Sequence, residues 1–283
     1  MPAIVDAHHH FWDPARADYP WLTDDLAPIR RAFGPADLAP HLAARGVTRT
    51  VLVQSRSSVD ETRELLAVAE ATPFIVGVVG WVDLTDTGVA DTIAGLRSGP
   101  GGRRLVGIRH QVQDEPDPDW LGRADVRTGV GAVGAAGLVY DLLLRPEHLP
   151  AAVAIARALP DVRFVVDHLA KPPIAAGALE PWASGIRPLG ELPNVWCKVS
   201  GMVTEADQSG WTSADLRPFV DQVVDVFGPE RLAFGSDWPL CLLAGSYERV
   251  FDAASETLET LSDGERSAVF GGNATEVYRL PEG

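Results

Sequence analysis

Cysteine is scarce: Cys197 and Cys241 are the two in 283 residues, too few to build a disulfide framework in a chain this long. Long apolar runs are missing as well. None approaches the roughly 20 residues that a membrane helix needs. Basic residues are in deficit, with 24 Lys and Arg against 39 Asp and Glu, a formal net charge of −15 and a pI near 4.8. A surface this acidic repels phosphate backbones and anionic lipid, so neither nucleic acid nor membrane is an expected partner. Residues Met1 to Trp12 carry no basic stretch and are interrupted by Asp6, which predicts no secretory leader. With these absences the expected location is the cytoplasm and the expected partner is a small molecule. What is present is ordinary for a globular chain: 46% hydrophobic and 22% charged residues.

The length is near the ceiling for one hydrophobic core, and no Pro-rich, Ser-rich or charge-rich linker divides it, so a single domain spanning 1–283 is expected. Short apolar runs recur along it and predict eight strands: Ala3–Ala7, Thr50–Gln54, Ile75–Val82, Leu105–His110, Gly137–Leu143, Arg163–His168, Asn194–Ser200 and Arg231–Asp237. Helical patterns fill the gaps, at Ala36–Arg45, Asp60–Ala71, Gly88–Arg97, Arg123–Ala136, Arg145–Leu159, Gly177–Leu192 and Ser213–Phe227, followed by Tyr247–Leu261 and Asp263–Phe270. Leu-Pro-Asp at 159–161 and Leu-Pro-Asn at 192–194 stop helices just before strands, because a residue preceding proline avoids the helical region. Strict alternation implies parallel strands, since each crossover must carry the chain back. Eight such units predict an α/β protein of the (β/α)8 TIM-barrel type. A doubly wound sheet would need a glycine-rich phosphate turn after a strand, whereas Gly99-Pro100-Gly101-Gly102 precedes one.

In such a barrel the active site lies at the C-terminal ends of the strands, so polar residues there carry most weight. Strand one ends Asp6-Ala7-His8-His9-His10. Simple alternation aims Asp6, His8 and His10 inward and His9 toward the helical layer. Two imidazoles on one face can chelate a divalent cation. Strand six closes on His168, which by itself is as easily a packing group. Strand eight closes on Asp237, and a carboxylate that deep must be paired or bound to something. Arg109 on strand four could clamp a substrate oxygen or pair with a buried acid; Lys198 on strand seven is a weaker candidate.

These residues also form a recognisable set. His8-x-His10, Asp167-His168-Leu169-Ala170-Lys171-Pro172 and Gly235-Ser236-Asp237-Trp238-Pro239 resemble the amidohydrolase superfamily. Ala7 through Trp12, Tyr19-Pro20-Trp21-Leu22, Cys197 through Ala206 and Phe270-Gly271-Gly272-Asn273-Ala274 narrow the likeness to the amidohydrolase-2 group of barrel hydrolases, near L-fuconolactonases and L-rhamnonolactonases. The resemblance implies hydrolysis of a sugar-acid lactone by an activated water. Asp237 would be the general base, with His8, His10 and His168 either holding one zinc-like divalent ion alongside Asp237 or acting directly as donors. Arg109, Lys198, Trp12, Trp21, Trp81 and Trp238 would contact the substrate. Arg109 or His110 on strand four and Asp141 on strand five replace the bridging residue and histidine of two-metal members, so a binuclear site is not expected. The competing expectation is a metal-dependent decarboxylase of an aromatic or unsaturated acid on the same barrel. The residues do not predict an oligomeric state.

Overall fold

The computed structural model describes residues 3–281; the outermost two residues at each end of the expected domain lie outside the described residues. Eight parallel strands follow one another in space as they do in sequence: β1 (Ile4–His9), β2 (Val47–Val53), β3 (Ile75–Gly80), β4 (Leu105–His110), β5 (Val139–Leu142), β6 (Arg163–Val166), β7 (Val195–Val199) and β8 (Leu232–Phe234). They are buried on both faces and read as nearly continuous apolar runs, as parallel strands under a helical layer must. The helices are α1 (Pro35–Arg45), α2 (Val59–Ala71), α3 (Val89–Ser98), α4 (Ala124–Ala135), α5 (Leu149–Ala158), α6 (Trp182–Gly190), α7 (Ser213–Phe227), α8 (Tyr247–Thr257), α9 (Asp263–Ser267) and α10 (Asn273–Val277). The architecture is the expected (β/α)8 barrel, and none of the described helices is long and apolar enough to cross a membrane.

Local chemistry accounts for the helix ends. The side chain of Asp215 accepts from the Thr212 N–H at 2.8 Å and caps α7, which then buries Leu216, Phe219, Val220, Val223 and Phe227 at helical spacing. Ser58 Oγ accepts from the Glu61 N–H to start α2. Several expected helices differ in their bounds, and α8 and α9 end early, at Thr257 and Ser267. The stretch 145–159 opens with a 3₁₀ turn before α5, and α6 begins only at Trp182. The Pro-Trp pair at 181–182 explains the late start, since a proline just before a helix leaves no N–H orphaned.

The sheet closes through the site. β8 is short, and the seam to β1 is made beyond its end: the Asp237 N–H donates to the His8 carbonyl at 2.8 Å, and the His10 N–H to the Trp238 carbonyl at 2.7 Å. The residues expected to do chemistry are therefore fixed to each other by the backbone that closes the barrel. At the opposite end, Ala274, Val277, Tyr278 and Leu280 pack into the interior cluster formed by Val5, Ala7, Val51, Val79, Val139 and Val165. Arg163, at the start of β6, donates to the Val277 carbonyl. The C-terminal segment thus plugs the barrel beneath the strands.

Candidate active site

β1 carries one extra residue where it matters. Asp6 lies opposite Thr50 and His9 opposite Leu52, three steps on β1 against two on β2. This bulge reverses the alternation. Asp6 and His9 consequently share the outer face, and the expected alignment of Asp6 with His8 and His10 is corrected. Asp6 instead holds the seam, its Oδ1 accepting from the N–H groups of Ser236 at 2.9 Å and His8 at 3.2 Å, while Tyr247 Oη of α8 donates to Oδ2 at 3.2 Å. Burial pushes the Asp6 carboxyl up to about 6, against those hydrogen bonds. His9 turns outward as alternation implied, with Nε2 2.9 Å from Thr50 Oγ1.

Burial pushes His9 down to about 3. Its folded value lies below its unfolded value of 6.5, so the unfolded chain takes up a proton that the fold refuses, and stability falls as pH drops through the interval between them. Between pH 7.5 and pH 5 the parent protein should lose about 2 kcal/mol more than His9→Gln, which cannot take up that proton. Urea unfolding of both proteins at both pH values measures the difference; equal losses would remove His9 as the cause.

On the inner side, His8, His10, His168 and Asp237 converge. Oδ1 of Asp237 stands 3.6 Å from His10 Nε2 and 3.8 Å from Nε2 of both His8 and His168. That oxygen is buried and has no hydrogen-bond partner. His10 Nδ1 lies 2.8 Å from the Val53 carbonyl, which can only accept, so Nδ1 carries a proton and Nε2 faces the carboxylate. His168 Nδ1 is fixed by Ser200 Oγ at 2.9 Å. His168 and Asp237 lie just past their strands with left-handed backbones, φ 55° and 57°. Such conformations cost a non-glycine residue roughly 1–2 kcal/mol, and here they aim the side chains inward. Burial pushes His168 down to about 4 and His8 well below its usual value, which keeps both imidazoles neutral. Burial alone would raise the Asp237 carboxyl, but His168, His10 and Lys171 outweigh it and lower it. Neutral imidazoles around an ionised, unpartnered carboxylate suit a cation: one ligand atom each from His8, His168 and Asp237 lie within 4.8 Å of one another.

Beneath this group lies a row of buried charges. Arg109 Nη1 donates to Asp167 Oδ2 at 3.0 Å, and Nη2 to the Gln54 carbonyl at 2.6 Å. Lys198 Nζ is 2.6 Å from Asp141 Oδ2 and 2.9 Å from Asp167 Oδ1. Burial would raise Asp167, yet Lys198, His8 and Arg109 together hold it well below the carboxylate range. Lys198 is fully buried and does not line the cavity, which corrects its expected place among the substrate contacts. Arg109 pairs with a buried acid, one of the two roles open to it, and also lines the cavity.

The cavity above has a volume of about 190 Å³, below the roughly 300–1,000 Å³ typical for drug-sized ligands, so it suits a single small substrate. Of the four expected tryptophans, Trp21 lines it, its indole N–H donating to the Ser55 carbonyl at 2.9 Å. Trp12 and Trp238 are corrected to core positions. Trp12 donates to the Ile29 carbonyl and packs edge-on against Trp21, while Trp238 packs on Phe11 and Phe33. Trp81 donates to His110 Nδ1 and is not among the residues that line the cavity. Sequence reasoning missed Ser55, Gln111, Gln113, Lys171 and Glu205, which do line it. Ser55 lies two residues past β2 and Gln111 one past β4, where the strand-end rule would have found them.

The amidohydrolase family model matches residues 5–280. The L-fucono-1,5-lactonase of Burkholderia ambifaria is 44% identical over 99% of this chain and 97% of its own. That of Burkholderia multivorans is 40% identical over 98% of this chain and 96% of its own. The crystal structure of an amidohydrolase from Burkholderia multivorans with bound zinc has 40% identity and a TM-score of 0.93, covering 99% of this chain and all of that one. The chain belongs to the amidohydrolase family.

Proposed function

We propose that this protein is a lactonase that opens L-fucono-1,5-lactone or a closely related sugar-acid lactone, with at most one divalent ion at its site. The observation carrying this reading is the orphaned Asp237 Oδ1 amid three imidazole Nε2 atoms on the floor of a small cavity. The identity to two L-fucono-1,5-lactonases over nearly the whole chain supports the substrate class. His8, His10, His168 and Asp237 would hold the ion. When bound, such an ion polarises an ester carbonyl and lowers the pKa of water to about 7.

Asp237 takes the proton of the attacking water on Oδ1 and then returns it to the departing ring oxygen, so one carboxylate serves both halves of the reaction. Arg109, which lines the cavity, is the donor for a substrate oxygen. The Trp21 indole, backed by Trp12 at 5.1 Å between ring centroids, lies along the apolar face of the sugar ring. Replacing Trp21 with Ala should raise KM about tenfold with little change in kcat, the size expected for roughly 1–2 kcal/mol of lost apolar contact. An unchanged KM would place the substrate elsewhere. A decarboxylase of aromatic acids would need a slot of facing rings, whereas Trp21 is the one large aromatic among the lining residues. A panel of aldonolactones followed by proton release tests the proposal. L-fucono-1,5-lactone should be hydrolysed well above the buffer rate, and no carbon dioxide should be released from hydroxybenzoates; the reverse result would favour the decarboxylase.

A further inference from the structure

The surroundings of Lys198 are those of a bound cation. Its ammonium is fully buried and lies 2.6 Å from Asp141 Oδ2, 2.9 Å from Asp167 Oδ1 and 3.2 Å from His8 Nδ1. Four segments of the barrel meet here: His8 comes from β1, Asp141 from β5 and Lys198 from β7, and Asp167 follows β6. Tyr278, just past α10, donates its hydroxyl to both oxygens of Asp141, at 2.8 and 2.9 Å, and fixes that carboxylate from below. The carboxylate oxygens of Asp141 and Asp167, converging on a single point, are also donors for a divalent ion, with bonds of roughly 2.0–2.2 Å that they would reach by moving inward.

The charges in the barrel interior explain why the chain fills this point itself. Asp141, Asp167 and Asp237 stand with Arg109 and Lys198, while Lys171 is paired with Glu205, which leaves one negative charge. One divalent ion with a bound hydroxide neutralises it, whereas a second ion beside the ammonium would leave buried positive charge uncompensated. We propose that Lys198 is a built-in cation: its ammonium occupies the position a second metal ion would take, limits the site to one ion, and positions Asp167 and His8 under the reacting groups. This rests on the one-ion reading of the site and not on which ester is opened.

Zinc content after saturation with zinc chloride and dialysis, read by elemental analysis, tests it. The parent should carry no more than one equivalent. Lys198→Met, which keeps an unbranched side chain one atom shorter and removes its charge, should carry one equivalent more than the parent. Its melting temperature should also rise more steeply with zinc concentration. The double variant Lys198→Met/Asp141→Leu, lacking one carboxylate of the cage as well, should return to the parental content. The expected difference of one equivalent holds whether or not the parent hydrolyses a lactone, so failure here is separable from failure of the lactone assay. Two equivalents in the parent would overturn the proposal. So would a folded Lys198→Met protein with parental zinc content, a double variant that keeps the extra ion, or a Lys198→Met chain that stays unfolded in saturating zinc.

Discussion

Asp237→Asn should lower kcat by about 10²–10⁴-fold while KM changes little and the fold survives. Asparagine keeps the size and the position but cannot accept the proton that Oδ1 accepts. The parent carboxylate is ionised at neutral pH, because His168, His10 and Lys171 outweigh the cost of burying it. The variant should remain folded because Oδ1 has no protein partner to lose, and the backbone bond from residue 237 to the His8 carbonyl is untouched. KM should hold because the proposed substrate contacts are Arg109 and Trp21 and not Asp237. Lactones also open in buffer, so the rates must be compared after subtracting the spontaneous reaction. A folded Asp237→Asn protein that hydrolyses the lactone at the parental rate would remove Asp237 from the mechanism.

The fold was legible because its signals are local and repeated. Proline at 160 and 193 marks where α5 and α6 must have ended, and apolar runs between helical patterns mark the strands. His8, His10, His168 and Asp237 were legible because strand ends in a barrel converge in space. Asp6 was misread because the extra residue between Asp6 and His9 is invisible to a period-two rule; only the partner strand reveals it. Trp12 and Trp238 were misread because an indole beside an active-site motif can equally be packing beneath it, as these two are. The place of Lys198 was hidden for a different reason. Its partners Asp141 and Asp167 lie 57 and 31 residues away in the chain, and nothing in a lysine's neighbours reports a buried cage. The left-handed run from His168 to Lys171, four non-glycine residues with φ from 53° to 57°, contradicts local propensity outright. In that run the local rules fail because the backbone is strained, and the run lies beside the candidate site.

Gly201 offers the second large effect, because it is the nearest support of His168. Gly201→Ala should lower kcat/KM by roughly 100-fold, the scale expected when a catalytic group is displaced by about 1 Å. A Cβ at this position would lie 2.4 Å from His168 Nδ1 and 2.6 Å from its Cγ, closer than such atoms can approach. The imidazole cannot retreat freely, since it is buried, its Nδ1 is held by Ser200 Oγ, and its own backbone is already left-handed. It must tilt, carrying Nε2 away from Asp237. Gly201 also has φ +60°, so alanine adds a backbone cost of roughly 1–2 kcal/mol that has nothing to do with catalysis. Gly46→Ala separates the two effects. Gly46 has φ +65° with nothing within 4 Å of its would-be Cβ, and it ends α1 away from the site. It should therefore lose similar stability by urea unfolding and retain the parental kcat/KM. If Gly201→Ala matches Gly46→Ala in both stability and kcat/KM, then the contact with His168 does not position the imidazole for catalysis.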